Sequence, residues 1–118
     1  MDGKSALDVA RAYHAAWTGG DFDTAGSWLA DDLETDLPVN AYATKDEFLQ
    51  AVKGFGSRAR DVRVLAEFGN PGEALLLYDM DVDPIGPFRV AEHFTVSGGR
   101  ITRIRHVHDT APFRTGGS

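Results

Sequence analysis

The 118-residue sequence predicts one α+β domain, with early helices packed on one side of a curved antiparallel sheet. Three observations lead there. Apolar residues recur at helical spacing in the first half, at Ala6, Ala10, Tyr13 and Trp17 and again at Phe48, Leu49, Val52 and Phe55. From Asp61 onward the pattern changes to the two-residue period of strands, broken by Gly- and Pro-containing turns. The length leaves room for one hydrophobic core, so residues 1–118 are expected to form a single domain.

Each element has its own signal. Ser5 and Asp8 form a capping pair opening a helix over 5–18, which Gly19-Gly20 ends. Asp21 is the N-cap of a short second helix carrying Phe22, Ala25, Trp28 and Leu29 inward and closing at Ala30-Asp31-Asp32. Leu33 to Leu37 reads as a short strand stopped at Pro38. Thr44-Lys45-Asp46-Glu47 is a capping box that opens a third helix, ending near Gly54 to Gly56. Strands are expected at 61–68, 74–83, 88–96 and 100–109, joined by turns at Gly69-Asn70-Pro71-Gly72, Pro84-Ile85-Gly86-Pro87 and Ser97-Gly98-Gly99. The tail after Pro112 is expected to fray.

Composition narrows the function. A formal net charge of −6 with no clustered Lys/Arg run argues against binding nucleic acid or an anionic membrane. A small, weakly polar ligand fits better. Cysteine is absent, which removes disulfides, thiolate nucleophiles and Cys-ligated zinc and is compatible with a reducing cytoplasm. No signal-like apolar core and no run of ~18 apolar residues is present, so a soluble cytoplasmic protein is expected. Gly-rich phosphate loops, nucleophile elbows and dinucleotide fingerprints are also missing.

Candidate chemistry lies between Glu73 and Asp109. Asp79 and Asp81 share one strand face with Leu77, Glu92 sits in an apolar stripe with Val90, Phe94 and Val96, and His106 and His108 share a face with Ile104. Histidine suits proton transfer near neutrality, and His106 beside acids on neighbouring strands is the strongest candidate base. Two readings of Asp79 and Asp81 stand. Periodicity sends Leu76, Tyr78, Met80 and Val82 to the core and the aspartates to water; the reverse arrangement aims the aspartates into a pocket. Glu92 is read either as a pocket acid kept neutral by burial or as an ion-pair partner of Arg103 or Arg105. His14 and His93 fall outside the pocket by phase. Two histidines and the acids are chemically sufficient for a divalent metal, yet no recognised metal spacing is present, so neither metal nor cofactor is expected.

Tyr13-His14-Ala15-Ala16-Trp17 before Gly20-Asp21, then Trp28-Leu29-Ala30-Asp31-Asp32, then Ala91-Glu92-His93-Phe94-Thr95-Val96, Gly99-Arg100-Ile101 and Arg105 to Asp109 follow a familiar order. In these features the chain resembles the SnoaL-like polyketide cyclases of the nuclear transport factor 2-like superfamily, which also holds ketosteroid isomerases and limonene-epoxide hydrolases. The resemblance implies a cone-shaped α+β barrel, its sheet wrapped around helix one and its open end holding an apolar pocket. It implies that Tyr13 donates to an enolate oxygen and that Glu92 is a protonated second donor. Leu37 occupies the position of the isomerases' base, with Asp36 beside it, so steroid isomerisation by the usual residues is not expected. Asp81 matches one acid of the epoxide hydrolases, where Asp79 replaces an arginine and His106 replaces the second acid. Asp79 or Asp81 with His106 is the counterpart of the cyclases' carboxylate and histidine.

The expected activity is therefore proton transfer next to the carbonyl of a small apolar ligand, as an isomerase or an aldol-type cyclase. The alternatives are epoxide opening by an Asp81-activated water and a non-catalytic binding or dimerisation module. Trp17, Trp28, Leu37, Phe55, Leu77, Ile104 and His108 are the expected ligand-binding residues. A homodimer through the outer sheet face is expected, with the apolar face of the 74–83 strand covered by the second subunit.

Overall fold

Local signals place the helices. Ser5 Oγ accepts from the Asp8 N–H while the Asp8 carboxylate accepts from the Ser5 N–H, completing the capping box of α1 (Ala6–Thr18). The Asp21 carboxylate caps α2 (Phe22–Ser27) through the Thr24 N–H. At α3 (Lys45–Gly56), Thr44 Oγ1 accepts from the Glu47 N–H, but the Glu47 carboxylate reaches one residue further back, to the Ala43 N–H. The computed structural model describes residues 5–38 and 42–109, and the expected frayed tail lies outside them.

Five strands follow the pattern with one displacement: β1 (Leu29–Asp36), β2 (Ala59–Gly69), β3 (Glu73–Val82), β4 (Gly86–Ser97) and β5 (Arg100–His108). β1 begins at Leu29, where the sequence suggests the second helix is still running, and that helix stops at its cap Trp28. The cause is pairing across the fold. Ile101 N–H donates to the Trp28 carbonyl, and Leu29 lies beside Ile101 in a parallel ladder that overrides the weak strand preference of Asp31 and Asp32.

The sheet order is β1-β5-β4-β3-β2, with an antiparallel meander from β2 to β5 and β1 added parallel to β5. Among the described residues β1 and β2 are the outermost strands and do not pair with each other, so the sheet curves without closing into a barrel. Register shifts between Leu29 and Glu34, Arg60 and Arg63, Val64 and Ala66, and Thr95 and Val96 supply bends. Asp61, inside one of them, takes a left-handed φ of 53°.

The concave face decides between the two readings of β3. Ala74, Leu76, Tyr78, Met80 and Val82 are all buried and join Val9, Ala10, Tyr13 and Trp17 of α1 in one core. Their cover comes from the same chain, not from a second subunit. Burying such side chains contributes about 1.5–3 kcal/mol for each large one, whereas burying unpaired carboxylates is costly. Asp79, Asp81 and Leu77 consequently occupy the outer face. No described helix is long and apolar enough to cross a membrane.

Candidate active site

A cavity of about 120 Å³ opens between α3 and the concave side of β3, β4 and β5. Its walls are Leu37 and Tyr42, then Phe48, Ala51, Val52 and Phe55 from α3, and Met80, Phe88, Val90, His106 and His108 from the sheet. A smaller chamber of about 40 Å³ continues inward over Tyr13, Trp17, Tyr78 and Glu92, sharing Phe48, Val52, Phe55, Met80 and His106 with the outer one. Period-three and period-four spacing along α3 delivers the helix wall, and strand alternation delivers the sheet wall.

At the junction of the two chambers His106 meets a buried carboxylate. Glu92 and His106 are direct cross-strand partners in the β4–β5 ladder, and His106 Nε2 lies 2.8 Å from Glu92 Oε2. The Tyr78 hydroxyl donates to Glu92 Oε1 at 2.9 Å, one diagonal step across β3 and β4. Glu92 is only 2% exposed. Burial alone pushes its carboxyl up, but the charge and hydrogen bond of His106, then His14 and the Tyr78 phenol, together hold it below the usual carboxylate value. A carboxylate here differs from the neutral donor that the resemblance implies. A carboxylate only accepts, so against an ionised Glu92 the His106 ring donates from Nε2.

Tyr13 is 1% exposed, lies edge-on to Phe94 with ring centroids 5.9 Å apart, and lines the inner chamber. Burial, with the nearby Glu92 charge, pushes its phenol well above the usual value, so it is a neutral donor. Its hydroxyl has no hydrogen-bond partner among the described residues. His14 stands outside both chambers as its phase predicts, stacked edge-on against Tyr78 and Trp17 at 4.8 and 5.4 Å. Burial lowers its pKa, and its Nδ1 is buried without a partner among the described residues.

The structure brings together His106, Glu92, Tyr13, Trp17, Leu37, Phe55 and His108. Other expected site residues stand elsewhere. Asp79 is turned outward and clamped by Arg89, whose Nε and Nη2 donate at 2.6 and 3.0 Å. This pairing, with Arg63 nearby, holds Asp79 below the usual carboxylate value. Asp81 lines an outer-face groove with Asp61, Arg63 and Arg89, on the side of the sheet opposite His106, which removes both the Asp–His pairing and the Asp81-activated water. Leu77 shares that outer face. Ile104 is fully buried in the core beneath the site, and Trp28 packs at the core margin, so neither lines the cavity. Arg103 pairs with Glu34 at 3.1 Å instead of with Glu92.

The sequence reading missed Tyr78, the second ligand of the Glu92 carboxylate, and the cavity walls Tyr42, Phe48, Ala51, Val52, Met80, Phe88 and Val90. Tyr78 carried a usable signal: a phenol in an otherwise aliphatic stripe next to the strand that holds a lone Glu. Among the described residues no group of three or more His, Asp or Glu is arranged to hold a metal ion.

A SnoaL-like domain model matches residues 10–104. A solved protein from Kribbella flavida DSM 17836 shares 39% identity over 96% of this chain and 93% of its own, with a TM-score of 0.89. A candidate ketosteroid isomerase from the same organism aligns over 90% of this chain and 78% of its own at 15% identity and TM-score 0.80. An LEH-like epoxide hydrolase of M. tuberculosis aligns over 94% and 87% at 22% identity and TM-score 0.75. The last two likenesses are likenesses of fold. No curated protein matches the chain significantly. With the family model spanning most of the sequence and the curved, helix-backed sheet to match, the chain belongs to the SnoaL-like domain family of the nuclear transport factor 2-like superfamily.

Proposed function

We propose that the protein is a cofactor-independent acid-base enzyme that moves a proton next to the carbonyl of a small apolar ligand. The observation that carries this reading is the Tyr78–Glu92–His106 chain of hydrogen bonds ending at a cavity-lining imidazole. Glu92 fixes the tautomer and offsets the imidazolium that forms, as a buried carboxylate does for other catalytic histidines. His106 Nδ1 takes the proton from the carbon next to the carbonyl. The electron pair of the broken C–H bond moves into an enolate, whose oxygen accepts a hydrogen bond from the Tyr13 phenol. In an isomerisation His106 returns the proton to another carbon of the same molecule. In an aldol closure the enolate carbon attacks a second carbonyl of that molecule, and the alkoxide takes the proton.

The test is deuterium exchange next to the carbonyl of small enolisable ketones, followed by NMR. Loss of about 10²–10⁴-fold in exchange rate on His106→Ala, with the fold retained, is expected of a general base. An unaltered rate rejects the mechanism and leaves a ligand-binding module.

We also propose that two copies associate through the outer sheet face. Leu77, Ala91 and Val107 stand side by side across β3, β4 and β5, and Val107 is 70% exposed. Such an apolar row, with Leu75 on the same face and its partner Phe68 64% exposed, is suited to a second copy of the same face.

A further inference from the structure

We infer that the site takes an uncharged, single-ring carbonyl compound and excludes the fused multi-ring ligands for which a larger pocket would be needed; the inference rests on the acid-base reading of the same site. Size is the first reason. The two chambers share five lining residues, and the larger, about 120 Å³, is of the same order as the ~150 Å³ apolar cavity that accepts benzene. Ligand pockets for drug-sized molecules span roughly 300–1,000 Å³.

Wall stiffness is the second. Phe55 of α3 and Phe88 of β4 meet edge-on across the gap between helix and sheet, with centroids 6.1 Å apart, and Tyr42 meets Phe48 in the same way at 5.9 Å. The Phe55–Phe88 pair ties helix to sheet, and Tyr42–Phe48 fixes the segment before α3 against the helix, so a longer ligand must part the first pair. Each such pair is worth about 0.5–1.5 kcal/mol beyond its burial.

Charge is the third. Neither chamber is lined by Lys or Arg among the described residues, while the inner one carries the Glu92 carboxylate. A carboxylate or phosphate on the ligand would be desolvated there beside the like charge of Glu92, with no Lys or Arg among the described residues of the lining to offset it. The aromatic walls favour a flat ring, and the polar end of that ring is directed to Tyr13 and His106, the groups at the junction and the inner end.

Phenols mimic the enolate and provide the probe. Binding of a para-alkyl phenol, 2-naphthol and a four-ring steroidal phenol is followed by the fluorescence of Trp17 and by calorimetry, in the native protein and in Phe55→Ala. The expected result is saturable binding of the single-ring phenol and at least about tenfold weaker binding of the four-ring one in the native protein, where apolar area alone would favour the larger ligand. Phe55→Ala is expected to narrow or reverse that ratio. Equal or tighter binding of the four-ring phenol by the native protein overturns the size limit. Deuterium exchange on a cyclohexenone, with and without His106→Ala, separates the two readings. Single-ring selectivity without His106-dependent exchange refutes the enzyme and keeps the size limit. Four-ring binding with His106-dependent exchange refutes the size limit and keeps the enzyme. Absence of binding across the series refutes both.

Discussion

Glu92 and His106 face each other across the β4–β5 ladder with Oε2 and Nε2 2.8 Å apart, and this pair joins the core to the cavity. Its acid is buried and its imidazole is partly exposed, so charge created at His106 is answered from inside the protein, where water screens little. The arrangement has separable consequences.

Glu92→Gln is expected to lower kcat by roughly 10²–10⁴-fold, since an amide offers no charge to the imidazolium and allows the wrong tautomer. The pH dependence follows from the carboxyl's depressed pKa. The stability contribution that needs the carboxylate is complete above the ordinary value of 4.5 and is lost only as pH falls through the lower folded value. Unfolding free energy of the native protein and of Glu92→Gln measured between pH 3 and 7 checks this; loss of the Glu92 contribution well above pH 4.5 contradicts it.

Tyr78→Phe leaves Glu92 Oε1 without its donor while preserving the ring that packs beside His14. A cost of about 1–3 kcal/mol in unfolding free energy is expected for the unpaired buried acceptor. A fall in kcat with little change in KM is expected alongside it. Chemical denaturation and steady-state kinetics on the same sample test both; no change in either would mean that the phenol does not hold the carboxylate.

Asp79→Asn and Asp81→Asn are expected to leave deuterium exchange unchanged, because both side chains stand on the face of β3 away from His106. A large loss of rate in either variant, with the fold intact, would require an outer-face site.

His14→Phe is expected to flatten the acid side of the stability profile. The folded pKa of His14 is lowered by burial, so its penalty is absent above the ordinary value of 6.5 and accumulates as pH falls from there to the folded value. Replacement also removes a buried Nδ1 that has no partner among the described residues. Melting temperatures at pH 7.5 and 5.5 report the effect: the drop between them shrinks in the variant, and an unchanged drop would assign it to other groups.

Val107→Glu is expected to convert an associated form to monomer if the outer face joins two copies, because it places charge in the apolar row with Ala91 and Leu77. Sedimentation at micromolar concentration decides it, and a native protein that already runs as a monomer rejects the association.

Much of this organisation is written locally. Ser5, Asp21 and Thr44 announce the helices because a cap needs only its own three or four neighbours. The alternation along 74–83 announces the buried face of β3 for the same reason. β1 was less legible, since Asp31, Asp32 and Glu34 are poor strand formers and the strand exists through its distant partner β5. In the site, His106 and Glu92 were visible as polar residues in apolar surroundings. Their register, and the diagonal Tyr78, depend on the turn at Ser97-Gly98-Gly99 and on the shift between Thr95 and Val96, which composition does not disclose. The aspartates misled because the family pattern pointed against the periodicity, and here burial energetics prevailed.

The parallel ladder between β1 and β5 also sets a timetable. Hairpins β2–β3, β3–β4 and β4–β5 join neighbours in the chain and close short loops, whereas β1 joins a strand from the opposite end of the domain. Closing that loop carries the largest entropy cost of any pairing in the sheet, and contacts of this range slow folding. Docking of Leu29 against Ile101 is therefore expected to follow formation of the hairpins, and amide-exchange labelling during refolding checks it: β1 amides protected before those of β4 and β5 would reverse the order.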